Sequence, residues 1–91
     1  MKHEILSVRD SKAEIFGRPF FTNTLGTAIR SFDDEVNRHT EGNIMAEHPE
    51  DFSLWHLGSF EDNDGTFAPM VPKLILQGNE VVKSINHISK V

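Results

Sequence analysis

Phe52-Ser53-Leu54-Trp55-His56-Leu57-Gly58-Ser59-Phe60 is the stretch on which the architecture turns. It has strand composition without clean alternation. A regular strand would put Phe52, Leu54, His56 and Phe60 on one face, and Trp55 and Leu57 on the other. Apolar groups on both faces mark a central strand, or a strand whose second face a partner covers. Glu61-Asp62-Asn63-Asp64-Gly65 follows with hairpin-loop chemistry, its glycine able to take a positive φ. Thr66-Phe67-Ala68 reads as the return strand, which Pro69 confines to an edge or ends.

Upstream lies the one clear helical pattern. Thr22, Asn23 and Thr24 are all good caps. Leu25, Ala28, Ile29, Phe32 and Val36 follow at spacings of three and four, which places them on one helical face. The spacing predicts a helix over about residues 24–38. Arg38 and His39 suit its negative end, whereas Asp33, Asp34 and Glu35 must face solvent or find partners. Before the helix, Ile5, Leu6 and Val8 form a strand-like run ended by the turn pair Asp10-Ser11. Lys12 to Phe16 could return as a second strand, broken at Gly17-Arg18-Pro19. Residues 39–51 read as a polar connection. Val81, Val82, Ile85 and Ile88 fit a helix face with Asn79 as cap, yet their β-branching favours a strand, so the tail stays open. The expected organisation is one domain over residues 1–70 and a C-terminal extension over 71–91. The expected class is α+β: a small antiparallel sheet of three to five strands with the main helix packed on one face.

Composition narrows the function classes. Ninety-one residues fit one domain. The chain has no cysteine, which removes disulfides, thiolate nucleophiles and thiolate metal sites and favours a reducing cytosol. No apolar run approaches the roughly 20 residues of a membrane span, and Glu4 sits where a signal peptide would turn apolar. The net charge of −5 is segregated. Residues 1–32 carry +2, residues 33–64 carry −9, and residues 65–91 carry +2. Such a balance disfavours non-specific duplex binding but leaves room for a local basic groove.

The catalytic and metal motifs fail on spacing. Asp62-Asn63-Asp64-Gly65 suggests a calcium loop, but Phe60 and Val71 stand at its ligand positions. The five histidines form no H-E-x-x-H pair, and His48-Pro49-Glu50 lacks the cysteines of a deaminase. No nucleophile elbow or phosphate loop exists. No enzyme, metal or cofactor is expected. One constellation suits binding: Arg9, Lys12, Arg18 and Arg30 interleaved with Phe16, Phe20 and Phe21. Cations can follow phosphates while rings stack on bases. A second constellation suits a protein partner: Asp33, Asp34 and Glu35 in the acidic run, with Phe67 at a strand edge.

Ser7-Val8-Arg9-Asp10-Ser11-Lys12-Ala13-Glu14, Pro19-Phe20-Phe21, and Ala28-Ile29-Arg30-Ser31-Phe32 with Val36-Asn37 resemble the opening of a known family. The second half agrees through His48-Pro49-Glu50-Asp51-Phe52, Leu54 and Leu57-Gly58-Ser59-Phe60, with Asp62 and Gly65. The family is the small non-structural protein of gokushovirus-type microviruses, icosahedral phages with circular single-stranded DNA. The resemblance implies a DNA-binding protein of the infected bacterial cytoplasm, absent from the virion, that acts in viral DNA synthesis. It points to Arg9, Lys12, Phe20, Phe21 and Arg30, which lie inside matched motifs; Arg18 lies outside them. Expected partners are single-stranded DNA, phage replication or capsid proteins, and a second copy of the chain, with no membrane. The other reading is an adapter that recruits the replication initiator, host replication machinery or a procapsid through the acidic face.

Overall fold

In the computed structural model, which describes residues 1–83, the apolar run Ile5-Leu6-Ser7-Val8 lies inside a longer strand, β1 (Lys2–Asp10). On one side β1 pairs along its whole length with β4 (Phe52–Glu61), which pairs in turn with β5 (Thr66–Gln77). On the other side it pairs with two fragments of a broken edge strand, β2 (Ile15–Phe16) and β3 (Phe20–Thr22). The Gly17-Arg18-Pro19 break separates the fragments, and the Gly17 N–H donates to the Val8 carbonyl at 2.7 Å. All pairings are antiparallel.

The helix α1 (Leu25–Val36) starts after the Thr24 cap, whose hydroxyl accepts from the Thr27 N–H at 3.1 Å. Its stripe of Ala28, Phe32 and Val36 is buried against Leu6 of β1 and Phe52 and Leu54 of β4. Val8, Phe20, Leu25, Ile29, Leu76 and Val81 seal the margins of this core. Two of the acids at the helix end find partners and Asp34 faces solvent: Glu35 pairs with Arg38, and Asp33 lies 3.5 Å from Lys83 and accepts from Asn37. Asn37 also donates to the Val81 carbonyl and accepts from the Lys83 N–H, tying the end of the described chain to the helix. A short helix, α2 (Ile44–Glu47), and 3-10 turns at Pro49–Asp51 and Gly78–Glu80 complete the connections.

The α+β expectation is corrected. Strands make up 43% of the structure, in a curled antiparallel half-barrel with one main helix, so the chain is mostly β. The difference comes from strand length. The return strand does not stop at Pro69; β5 runs through Pro69 and Pro72 to Gln77. It lies at the sheet edge, where a missing N–H that faces outward breaks no ladder bond. Residues 71–77 thus extend the sheet. Ile85 and Ile88 of the tail, left open between helix and strand, lie outside the described residues.

Irregularities of pairing curl the sheet, one of them at Ile75 of β5, an extra residue between the pairs Leu54–Leu76 and Trp55–Leu74. Leu57 is an extra residue of β4 between the pairs Leu6–His56 and Ile5–Gly58. Opposite it on β5, Met70, Val71 and Pro72 occupy the gap between Lys73 and Pro69. Bulges of this kind bend a strand and increase its twist. Gly58 permits the bend: its φ is +153°, and a Cβ there would lie 2.6 Å from the Ala68 carbonyl oxygen.

Two substitutions test this packing by urea denaturation followed by circular dichroism. Phe32→Ala should cost about 3–5 kcal/mol, by emptying the helix–sheet seam. Gly58→Ala should cost about 1–3 kcal/mol, because the backbone at the bulge must shift.

Candidate functional site

Because α1 covers one face of the sheet, the residues that alternate with the core line the other. On β1 these are His3, Ile5, Ser7 and Arg9, and the register sets Phe21 beside Ile5, Phe60 beside His3, Trp55 beside Ser7 and Phe16 beside Arg9. Phe67 and Leu74 of β5 continue the rows of Phe60 and Trp55. This face is open: Phe67 is 60% exposed, Phe21 50%, Phe16 41% and Leu74 40%.

The rings form two groups. Phe21 and Phe60 meet edge to face at 5.9 Å, Phe60 and Phe67 are 4.8 Å apart, and the His3 imidazole is 6.2 Å from Phe60. His3, Phe21 and Phe60 line a shallow cleft of about 240 Å³ that is largely open to solvent. The second group pairs Phe16 and Trp55 edge to face at 5.7 Å, with the Arg9 guanidinium 5.8 Å from the Phe16 ring centre. Arginine over a ring face is held by the ring quadrupole while its N–H groups stay available. The Trp55 indole is oriented by donating to the Ser53 hydroxyl at 2.8 Å. Ser7, fully buried between the groups, donates to the Gly17 carbonyl at 2.7 Å and pins the break in the edge strand to β1.

The sequence-derived candidates divide. Arg9 and Phe21 reach the open face. Phe20, one residue earlier, turns the other way and packs against the core, because successive strand residues alternate. Lys12 sits in the β1–β2 turn, its N–H held by Asp10 at 2.9 Å, and Arg18 is exposed in the break between β2 and β3. Arg30 does not join them. It is exposed on α1 and borders a polar hollow with Thr24, Gly26 and Thr27, on the helix-covered side. The acidic set is split likewise: Asp33, Asp34 and Glu35 lie on α1, and Phe67 lies on the open face.

Two members of the face were hidden in the sequence. A regular β4 would put Phe60 with Leu54 on the helix side, but the extra residue Leu57 shifts Phe60 to the face of Trp55. His3 carries no sequence signal, and only pairing with Phe60 places it.

The rim beside the cleft is acidic but internally paired. The amino group of Met1 lies 2.6 Å from both Glu61 and Asp62, and His3 Nε2 lies 2.8 Å from Asp62. Hydrogen bonds from this amino group hold the Glu61 and Asp62 carboxyls below their ordinary range, with His3 adding to the effect on Asp62. The same bonds, with Asp62 first, raise the amino group. Elsewhere, ligand atoms of His48, Glu50 and Asp51 lie within 4.8 Å of one another. They are exposed or half-exposed, with His48 and Glu50 3.9 Å apart, which is a surface cluster and not a desolvated ligand set. Among the described residues no helix is long and apolar enough to cross a membrane.

Comparison with known proteins adds a family. The model described as Phage ORF5 protein matches residues 3–81. The chain is 35% identical over 66 residues to Protein ORF5 of Chlamydia phage 1, a span of 70% of this chain and 69% of that protein. No solved structure matches it.

The rim pairing has a pH window. The lowered carboxyls stabilise the fold above their ordinary values of 4.5 and 3.8, and this is lost as pH falls through the lower folded values. The raised amino group stabilises fully below its ordinary 8.0, and this is lost as pH rises through the higher folded value. Asp62→Asn should therefore lower the melting temperature at pH 6 slightly and flatten both shoulders of the melting profile between pH 3 and 10. All three groups are exposed, so 1 M salt should shrink the difference.

Proposed function

We propose, starting from the membership of this chain in the phage ORF5 protein family, that it is a non-enzymatic phage accessory protein that binds single-stranded DNA on the open face of its sheet. The observation that carries this reading is the array on that face: Phe16 and Trp55 with Arg9 at one end, and Phe21, Phe60 and Phe67 at the other. Base–aromatic stacking contributes about 1–3 kcal/mol per base and tolerates any sequence. Bases stacked and paired in a duplex offer no free faces, so the array selects single strands. Among the described residues Arg9, Lys12 and Arg18 have no carboxylate partner, which leaves their charge for phosphates.

The net charge of −5 opposes this binding, and its placement limits the cost. The acids of α1 lie behind the sheet, and exposed charges are screened beyond roughly 10 Å at 0.1 M salt. Glu61 and Asp62 are neutralised in part by the amino group of Met1. In an infected bacterium such a protein would act in the cytoplasm, on strands made for viral DNA replication or packaging. The adapter reading has less support from geometry. Asp33 and Glu35 are already engaged by Lys83 and Arg38, and Phe67 is on the other side of the sheet.

A labelled deoxythymidine oligonucleotide titrated by fluorescence anisotropy tests the proposal. With three phosphate contacts, log K should fall against log salt with a slope of about −2, at roughly −0.7 per contact. Arg9→Ala with Lys12→Ala should lower that slope in magnitude, whereas Arg30→Ala should leave it unchanged. Bound oligonucleotide should quench the fluorescence of Trp55, the one tryptophan in the chain. Undetectable binding at low salt would remove the proposal.

A further inference from the structure

We infer that the cleft between His3, Phe21 and Phe60 is a seat for one unpaired nucleobase. The inference rests on the single-strand reading and makes it specific to one site. At about 240 Å³ the cleft is smaller than the roughly 300–1,000 Å³ of sites for drug-sized ligands, which suits a single planar ring system. Its walls are aromatic: Phe21 and Phe60 stand at 79° to each other, so a flat ring can stack on one while meeting the edge of the other. Phe67 backs Phe60 at 4.8 Å and holds that wall in place.

The polar part of the site fits a heterocycle better than an aliphatic or phenyl group. Asp62 engages His3 at Nε2, 2.8 Å away, which fixes the imidazole ring. Among the described residues Nδ1 has no side-chain partner, and with a proton on Nε2 it accepts a hydrogen bond from a base edge. The cleft and the Arg9–Phe16–Trp55 group lie at opposite ends of β1, six residues apart between His3 and Arg9, or roughly 20 Å at 3.3 Å per residue. A strand anchored by phosphates at Arg9 would cross the buried Ser7 and place a base in the cleft at its far end.

The test compares two hexamers of equal charge, one of deoxythymidines and one of abasic sites, each titrated against wild type, Phe60→Leu, Phe21→Leu and His3→Ala. Wild type should prefer the base-bearing hexamer, and either leucine variant should reduce that preference about ten-fold, one stacked base being lost. His3→Ala should reduce it less, and circular dichroism establishes that each variant is folded. A preference undiminished in the folded variants overturns the base seat and leaves the single-strand reading standing. Failure of wild type to bind either hexamer overturns both. Equal binding of the two hexamers, together with a concentration-dependent dimer that Phe60→Leu abolishes, would assign the cleft to a second copy of the chain and overturn the base seat.

Discussion

The seam where Ala28, Phe32 and Val36 of α1 close over Leu6, Phe52 and Leu54 is the contact on which everything else rests. A chain of this size can bury only a modest share of its surface, so one seam must supply most of the apolar burial. Each large side chain sealed there contributes about 1.5–3 kcal/mol. The seam also decides what is left over. One helix of 12 residues can cover one face of the sheet, and among the described residues it is the only long helix. The opposite face keeps its rings in solvent.

That face is shaped by an irregularity and not by the regular part of the sheet. Were β4 a uniform strand, Phe60 would point toward α1 and the cluster of Phe21, Phe60 and Phe67 would not exist. The extra residue Leu57 reverses the alternation, and Gly58 accepts the backbone geometry that this requires. The bulge therefore links packing to the proposed binding surface: it curls the sheet into a half-barrel and gathers rings from β3, β4 and β5 at one end.

Charge is arranged around the same division. Several acids of the central third are drawn into local pairs, Glu35 with Arg38, Asp33 with Lys83, and Asp62 with the amino group of Met1 and with His3. Arg9 instead lies against a ring on the open face. An acidic protein can thus carry an aromatic surface with a cation at one end, because the sum of charges says little about the side on which they stand.

Much of this was legible in the residues themselves. The caps at Thr22–Thr24 and the three-and-four spacing from Leu25 to Val36 locate α1, since local hydrogen bonds and a one-sided apolar stripe suffice for a helix. The match of motifs along the chain pointed to its phage family. The extent of the sheet was only half legible: by local rules Pro69 either ends a strand or confines it to an edge, and only the tertiary pairing puts β5 at that edge and lets it continue. Nor could the sequence say that Phe20 and Phe21 part company with Arg30, or that Phe60 joins Trp55. Those outcomes depend on pairing partners distant in the chain and on a one-residue slip, and a slip changes the face of every residue beyond it without altering the composition at all.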